Sequence, residues 1–322
     1  MKYSSISHLS NQPSRIVQGT IPLTSKNEDA SFRLLDAAIE AGVNTFDTAH
    51  GYGGGDQERV FGRWLKARNC RDNVIILGKG AHHNSDRRRV TPYDIESDLH
   101  DSLARMQVDH VDLYLMHRDD DTLPVDEIVD ALNRLKNEGL MQAFGGSNWH
   151  HTRIQQANDY ALANGLQPFS ASSPNFSLAE QYREPWLNCV TISGDSNAAA
   201  RDYYRENQFP VFAWSSIGGG FFSGRMDRDK LDWDDYFMKL AVDCYAGETN
   251  LIRLDRVREI AKRKDCSVPQ VAMSWVLGSG LNLFALTGGT TPEEITETAK
   301  AIDITLTPAE HAYLNLERDT SE

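Results

Sequence analysis

Short apolar runs alternate with longer amphipathic segments along most of the chain. The apolar runs are rich in β-branched and aromatic residues, which is typical of buried parallel strands. The predicted strands cover residues 16–20, 44–49, 74–80, 111–117, 143–148, 169–173, 211–216 and 283–289. Between them, apolar residues recur at spacings of three and four, so each strand is expected to be followed by helix.

The helix signals are as regular as those of the strands. The predicted helices cover residues 29–42, 57–67, 91–106, 123–139, 151–165, 196–207, 251–264, 268–280 and 291–302. Pro92 and Pro292 each stand just inside a predicted start, where the first turn tolerates proline. Gly42 supplies a C-terminal stop.

Eight strand signals alternating with helices predict an α/β fold, namely a closed (β/α)8 (TIM) barrel. We find no composition shift that marks a boundary, so residues 1–322 are expected to form a single domain. A doubly wound open sheet is the alternative, and it fits less well because no GxGxxG follows the first strand. The polar stretch 225–250 predicts a long functional loop.

Composition narrows the class of protein. The net charge of −13 would repel a polyanion, so nucleic acid is not expected as a partner. No apolar run is long enough for a membrane span, and the N-terminal stretch lacks a signal-peptide core. The four cysteines are far apart without CxxC spacing, which favours reduced thiols over a disulfide or metal site. We therefore expect a cytoplasmic protein; its oligomeric state stays open.

One dense basic run, Arg87–Arg89, follows a polar stretch. A solvated loop is the favoured interpretation. Contact with an anionic substrate is the alternative.

Unusual polar residues and one tryptophan lie at or near the carboxyl ends of the predicted strands. They are Asp47, Lys79, His117, Ser147, Asn148, Ser173 and Trp214. In a (β/α)8 barrel these ends surround one shared pocket, where the active site lies. Side chains that are far apart in sequence are therefore expected to converge.

Four residues of this region form a chemical unit: Asp47, Tyr52, Lys79 and His117. A tyrosine with its ordinary pKa near 10 is a poor proton donor at neutral pH, and a buried ammonium beside it would lower that pKa. Asp47 would keep the lysine charged, while His117 could orient a carbonyl oxygen by a hydrogen bond. The unit predicts proton donation to a carbonyl during hydride addition.

Each of the four residues also has an alternative interpretation. Asp47 could cap the following turn, Tyr52 could serve packing, and His117 could be a core histidine. Lys79 at a strand end could instead form a Schiff base in a non-redox barrel enzyme. A third hypothesis is a cofactor-binding protein that regulates a partner.

Several blocks of sequence together resemble the aldo-keto reductase family. They are NTFDTAHGYGGGDQERVFGRWL, VIILGKG, VDHVDLYLMHRDD, GLMQAFGGSNW and VFAWSSIGGGFFSGR. The resemblance implies that Tyr52 is the general acid, that Lys79 and Asp47 tune it, and that His117 orients the substrate. It also implies an NADP(H) or NAD(H) cofactor and a small carbonyl or alcohol substrate.

The resemblance extends to cofactor contacts. Ser147 and Asn148 match the pair that holds the nicotinamide carboxamide, and Ser173 stands where the family has a third, glutamine contact. Trp214 occupies the position of a ring-stacking tyrosine, and an indole can stack as well. The pyrophosphate loop corresponds to Ser215, Ile217, Gly218 and Gly219.

The segment expected near the adenosine 2′-phosphate departs from the family pattern. Gly288 and Glu294 stand where many members have basic residues, and Thr298 replaces an asparagine near the adenine. An acidic side chain repels phosphate. The choice between NADP(H) and NAD(H) is therefore left open.

Substrate choice is expected to lie in the loops 82–89, 118–122 and 225–250. Their many Arg, Asp and His residues predict a polar substrate such as a sugar.

Overall fold

A computed structural model describes residues 1–321 as a closed barrel. All eight strands are parallel and pair in sequence order, and the last pairs with the first. The strands are β1 Ile16–Gly19, β2 Thr45–Asp47, β3 Ile75–Gly80, β4 Val111–Met116, β5 Met141–Ser147, β6 Ala171–Ser173, β7 Val211–Ala213 and β8 Leu283–Thr287. The predicted (β/α)8 fold is confirmed, and every strand overlaps its predicted range.

The helices surround the barrel. They are α1 Glu28–Glu40, α2 Asp56–Arg68, α3 Pro92–Met106, α4 Val125–Asn137, α5 His151–Ala163, α6 Ala198–Glu206, α7 Tyr236–Tyr245, α8 Glu248–Arg263, α9 Val268–Leu277, α10 Pro292–Ala299 and α11 Pro308–Leu314. All predicted helices are present. Thr91 and Thr291 accept hydrogen bonds from the first turns of α3 and α10, which explains the threonine–proline starts.

The expectation of a loop throughout 225–250 is wrong. Helix α7 occupies residues 236–245, and α8 begins at Glu248. Asp235 caps α7 by accepting a hydrogen bond from the amide of Met238 at 2.9 Å. Met238, Ala241 and Tyr245 are buried on one helix face. Their spacing is helical, but aspartates immediately before the helix make the sequence read as polar loop.

The barrel interior is a packed apolar core. It is filled by Val17, Leu77, Leu113, Leu115, Ala143, Ala171, Phe212 and Phe284. The rings of Phe212 and Phe284 stack at 4.7 Å between centroids. Because the interior is filled, the barrel is not a pore, and the space for a site is at its rim.

The joint between β6 and β7 is the sparsest in the barrel. Within residues 1–321 the two strands share one pair in register, Ser172 with Val211, whereas β4 and β5 share five; one further parallel bridge, Asn175 with Trp214, lies just beyond the strands. The buried side chain of Asn175 reinforces the joint by donating to the carbonyl of Trp214 at 3.1 Å. It also accepts from Thr191 at 2.8 Å. One amide side chain therefore supplies hydrogen bonds that the short strands do not make through their backbones.

Gly62 sets the distance between α2 and α3, and its replacement by alanine tests that contact. A Cβ there would lie 2.3 Å from the carbonyl oxygen of Met106, which belongs to the backbone of α3. We expect Gly62→Ala to lower the free energy of unfolding by about 1–3 kcal/mol, because the two helices must move apart. Urea unfolding measures the loss.

Gly51→Ala is the matched control. Gly51 has φ −79° and a Cβ there would meet nothing within 4 Å. Its unfolding free energy should stay within about 0.5 kcal/mol of the unchanged protein. Equal effects of the two substitutions would contradict the proposed helix contact.

Candidate active site

Three of the four predicted catalytic residues lie at the carboxyl ends of neighbouring strands. Asp47 ends β2, Lys79 lies near the end of β3, and His117 directly follows β4. All three are buried. Because parallel strands of a closed barrel end at the same rim, the side chains share one mouth.

A buried ion pair joins Asp47 and Lys79. The Lys79 Nζ donates a hydrogen bond to Oδ2 of Asp47. Burial raises the pKa of Asp47 and lowers the pKa of Lys79, and the charge of each residue partly offsets the effect on its partner. The ion pair with Asp47 favours the protonated form of Lys79, whereas a Schiff base requires its free amine.

Tyr52 is delivered to the same mouth by a glycine turn after β2. Gly53, Gly54 and Gly55 have φ values of 50°, 61° and 89°, a left-handed path that glycine adopts at little cost. The Tyr52 ring centroid lies 5.4 Å from the Lys79 Nζ. It also lies 5.8 Å from the His117 ring, edge-on at 80°. The structure thus brings the four predicted catalytic residues together.

The expected lowering of the Tyr52 pKa is wrong. Burial, and then the negative charge of Asp47, raise the pKa of Tyr52 well above its ordinary value, and the positive charge of Arg118 offsets only part of this. Within the ion pair, the Asp47 carboxylate opposes the influence of the Lys79 ammonium. Tyr52 therefore holds its proton at neutral pH.

His117 is neutral at neutral pH. Burial lowers the pKa of this residue well below its ordinary value, and the positive charges of Lys79 and Arg118 add to the effect. Its backbone N–H donates to the carbonyl of Gly80 at 2.7 Å, which fixes the chain. The ring Nδ1 has no partner within residues 1–321. A buried ring nitrogen in that state can hydrogen-bond an incoming ligand.

The predicted carboxamide residues form a second group on β5, β6 and β7. Ser147 donates its hydroxyl to the carbonyl of Ser173 at 3.1 Å. Asn148 Oδ1 accepts from the Trp214 indole at 3.2 Å and from the amide of Val190 at 3.1 Å. Since Asn148 Nδ2 also faces the carbonyl of His117 at 3.4 Å, the two groups are continuous.

The turn after β7 fits a phosphate-bearing ligand. Ser215, Gly218 and Gly219 have φ values of 52°, 64° and 59°. The amide N–H groups of Ser216 and Ile217 donate to no acceptor in the described chain. Unpaired backbone N–H groups in such a turn are donors for an anion. The residues present therefore fit the pyrophosphate of a dinucleotide.

Non-glycine residues with left-handed backbone lie within two residues of the ends of three strands. They are Ala81, Asn148 and Ser215, with φ values of 59°, 57° and 52°. Such conformations cost about 1–3 kcal/mol each and persist where the surrounding structure imposes them. Their position at the rim is consistent with a functional site.

The adenosine end of the predicted site lies after β8. Gly288 is exposed, and a Cβ there would meet nothing within 4 Å. Glu294, in the first turn of α10, accepts from the amide and hydroxyl of Thr290 at 2.8 and 2.9 Å. This turn carries Glu293 as well, so its side-chain charge is negative.

The basic run is paired internally. Arg87 binds Asp94 through two hydrogen bonds of 2.7 Å, and Arg89 binds Asp98. Arg88 reaches Asp120 and Asp121, both at 2.8 Å. These charges, which contributed to the expectation of a sugar substrate, hold loops together instead.

Sequence reasoning missed Arg118 as a single residue and treated it as part of a polar loop. Its guanidinium is buried beside His117 and donates to the His117 carbonyl at 2.9 Å. The hydroxyls of Thr20 and Thr48, which follow β1 and β2, are also buried without partners in residues 1–321. Their positions in the sequence could have revealed these three residues. Thr20 and Thr48 directly follow strands, and Arg118 directly follows His117.

No group of His, Cys, Asp and Glu side chains in residues 1–321 could hold a metal ion. None of the helices in that part of the chain has the length and apolar character needed to cross a membrane.

The chain belongs to the aldo/keto reductase family, whose sequence pattern matches residues 15–316. Aldo/keto reductases use nicotinamide cofactors and act on small-molecule carbonyl compounds, so the chain is an oxidoreductase of this type.

Two relatives and one solved structure show the range of similarity. The uncharacterized oxidoreductase YrpG of Bacillus subtilis (strain 168) is 27% identical over 322 residues, covering 95% of this chain and 92% of that protein. The probable aryl-alcohol dehydrogenase AAD4 of Saccharomyces cerevisiae (strain ATCC 204508 / S288c) is 25% identical over 306 residues, covering 90% and 88%. The glycerol dehydrogenase AKR11B4 from Gluconobacter oxydans superposes with a TM-score of 0.80 at 23% identity, covering 97% and 94%, which supports the fold alone.

Removal of one member tests whether the buried pair acts as a unit. Lys79→Met leaves the Asp47 carboxylate buried without its cation, so the free energy of unfolding should fall by about 3–5 kcal/mol. Burial raises the pKa of Asp47, so its protonated carboxyl contributes to the free energy of unfolding at acid pH. This contribution is lost as pH rises above the range in which carboxyl groups of the unfolded chain titrate. Urea unfolding of Lys79→Met across pH should therefore show the smallest loss at acid pH.

The double variant Asp47→Asn, Lys79→Met is the control. It removes both charges and should be more stable at neutral pH than Lys79→Met alone. Additive losses from the two substitutions would rule out the coupling.

Proposed function

We propose that the protein interconverts a carbonyl compound and its alcohol by NAD(P)(H)-dependent hydride transfer, with Tyr52 as general acid and base. The observation that carries the proposal is the meeting of Tyr52, His117 and the Asp47–Lys79 pair at one rim of the barrel. Ser147, Asn148, Ser173 and Trp214 would hold the nicotinamide beside them. Ser215, Ile217, Gly218 and Gly219 would line the pyrophosphate, and Gly288 would lie towards the adenosine.

The direction of reduction needs Tyr52 in its protonated form, and its raised pKa keeps it so; the weaker acidity that a raised pKa brings has to be offset by Lys79 as the proton leaves. The phenol is protonated at neutral pH and can donate to a carbonyl oxygen as negative charge develops there. Neutral His117 offers that oxygen a hydrogen bond. The Lys79 ammonium, held by Asp47, stabilises the phenolate that remains. A bound nicotinamide supplies the hydride.

Tyr52→Phe separates proton donation from binding. The substitution removes one hydroxyl and leaves the ring, so kcat for carbonyl reduction should fall about 10²–10⁴-fold. The Kd for the reduced cofactor, measured by quenching of tryptophan fluorescence, should change little. Tyr93→Phe, at an exposed tyrosine of α3, is the control and should keep full activity. Retention of kcat by Tyr52→Phe would remove the phenol from the mechanism.

The adenosine end favours NAD(H) over NADP(H). Glu293 and Glu294 give the first turn of α10 two acidic groups and no basic one. Glu294 is fixed near the loop by its bonds to Thr290. A 2′-phosphate beside these carboxylates would be repelled, whereas a 2′-hydroxyl would not.

Cofactor binding tests this preference without any substrate. NADH should bind more tightly than NADPH and raise the melting temperature more at equal concentration. Glu294→Lys should improve NADPH binding by about tenfold relative to NADH, which corresponds to about 1.4 kcal/mol. Glu293→Lys, at a neighbouring exposed position, should improve NADPH binding less than Glu294→Lys does. Tighter binding of NADPH by the unchanged protein would contradict the preference.

A further inference from the structure

The candidate active site contains one positive charge that no carboxylate balances. Lys79 is paired with Asp47. His82 and His117 are neutral at neutral pH, because burial lowers the pKa of His82 to about 4 and that of His117 well below its ordinary value. Arg118 remains charged, since a guanidinium does not lose its proton in proteins.

Arg118 is held only by neutral acceptors. Its side chain donates to the carbonyl oxygens of Leu187 and His117 at 3.1 and 2.9 Å, and to the Cys189 thiol at 3.5 Å. No carboxylate within residues 1–321 lies within ion-pair distance of it, although exposed Glu184 acts on it from farther away. A guanidinium has five N–H groups, so its hydrogen-bonding capacity is not exhausted.

Other arginines of this face are neutralised. Arg153, on α5, binds Asp119 at 3.2 Å. The run Arg87–Arg89 is bound to four carboxylates. Arg118 is more deeply buried than any of these, with 3% of its surface exposed. A buried cation is costly unless a charge or strong acceptor compensates it. Among these arginines, the one without a carboxylate partner in the described residues is therefore the one beside the candidate catalytic residues.

The histidines beside Arg118 add neutral hydrogen-bonding groups and no negative charge. The ring of His82 lies 4.7 Å from that of His117 and 4.4 Å from that of His83. The Nδ1 atoms of His83 and His117 are buried without partners in the described chain. The described surroundings of Arg118 thus lack the negative charge that predominates in the protein as a whole, whose net charge is −13.

We propose that the substrate is a carbonyl compound that also carries a carboxylate, and that Arg118 binds this carboxylate. The inference rests on the proposed function of the same site. A carboxylate would replace the Leu187 carbonyl and the Cys189 thiol as acceptors, because a charge-assisted, two-pronged contact is stronger than either. The carboxylate stays unchanged while the carbonyl gains a hydride from the nicotinamide and a proton from Tyr52.

Aromatic probes suit the rim of this site. Trp186 is 41% exposed, and its ring lies 6.3 Å from that of Trp214. Apolar surface of this kind can pack against an arene. The pair 4-formylbenzoate and methyl 4-formylbenzoate presents the same aldehyde with and without the negative charge.

The kinetic test compares the two aldehydes in the unchanged protein and in Arg118→Gln. The unchanged protein should show a higher kcat/KM for 4-formylbenzoate than for the ester. Arg118→Gln should lower the acid-to-ester ratio by at least about tenfold, and Arg118→Lys should give an intermediate ratio. Arg88→Gln, which removes a paired arginine of the same face, should leave the ratio unchanged.

A binding test remains decisive if neither aldehyde is reduced and the proposed function fails. Calorimetric titration with benzoate and with its neutral analogue benzamide should show tighter binding of benzoate. Arg118→Gln should weaken benzoate binding at least about tenfold more than it weakens benzamide binding.

Two results would overturn the proposal. One is the absence of any preference for the charged probe in the unchanged protein, in both tests. The other is an equal loss for charged and neutral probes in Arg118→Gln, since that is the result expected if Arg118 only holds the segment 187–189 in place.

Discussion

Closure of the parallel sheet is the constraint from which the site follows. Every strand hydrogen-bonds to two neighbours, and the β1–β8 pairing leaves no sheet edge. The interior is then occupied by side chains such as Phe212 and Phe284, so functional groups can converge only at the rim. Residues as distant in sequence as Asp47 and Trp214 meet there because of topology.

At that rim, burial decides the state of each ionisable group. Asp47 and Lys79 keep opposite charges in contact. Tyr52 and His117 are held in their neutral forms, one as a phenol and one as an imidazole. The raised and lowered pKa values have the same origin, the cost of moving charge out of water. Arg118 differs from all of these, because it keeps its charge without a carboxylate of residues 1–321 in contact with it.

Much of this arrangement could be predicted from sequence. The alternation of apolar runs and amphipathic segments predicted all eight strands, and parallel strand ends placed Asp47, Lys79 and His117 together. Helix α7 was missed because its apolar face follows a run rich in aspartate. The direction of the Tyr52 pKa was missed because it depends first on how deeply the phenol is buried and then on the distances to the neighbouring charges, and the sequence shows neither. The sequence also could not show that Arg118 lacks a carboxylate partner in the part of the chain that the structure describes, because ion pairs depend on distances in the folded structure.

The sparse joint between β6 and β7 has a consequence for cooperativity. Beyond one pair in register and one backbone bridge between Asn175 and Trp214, it is held by the side chain of Asn175, which donates to the carbonyl of Trp214. The indole of Trp214 in turn bonds Asn148 on the far side of β6. Asn148 and Trp214, whose side chains line the candidate nicotinamide site, are thus connected through the Trp214 backbone to the residue that bridges β6 and β7. We therefore expect a ligand that orders Asn148 and Trp214 to stabilise the joint between β6 and β7 as well.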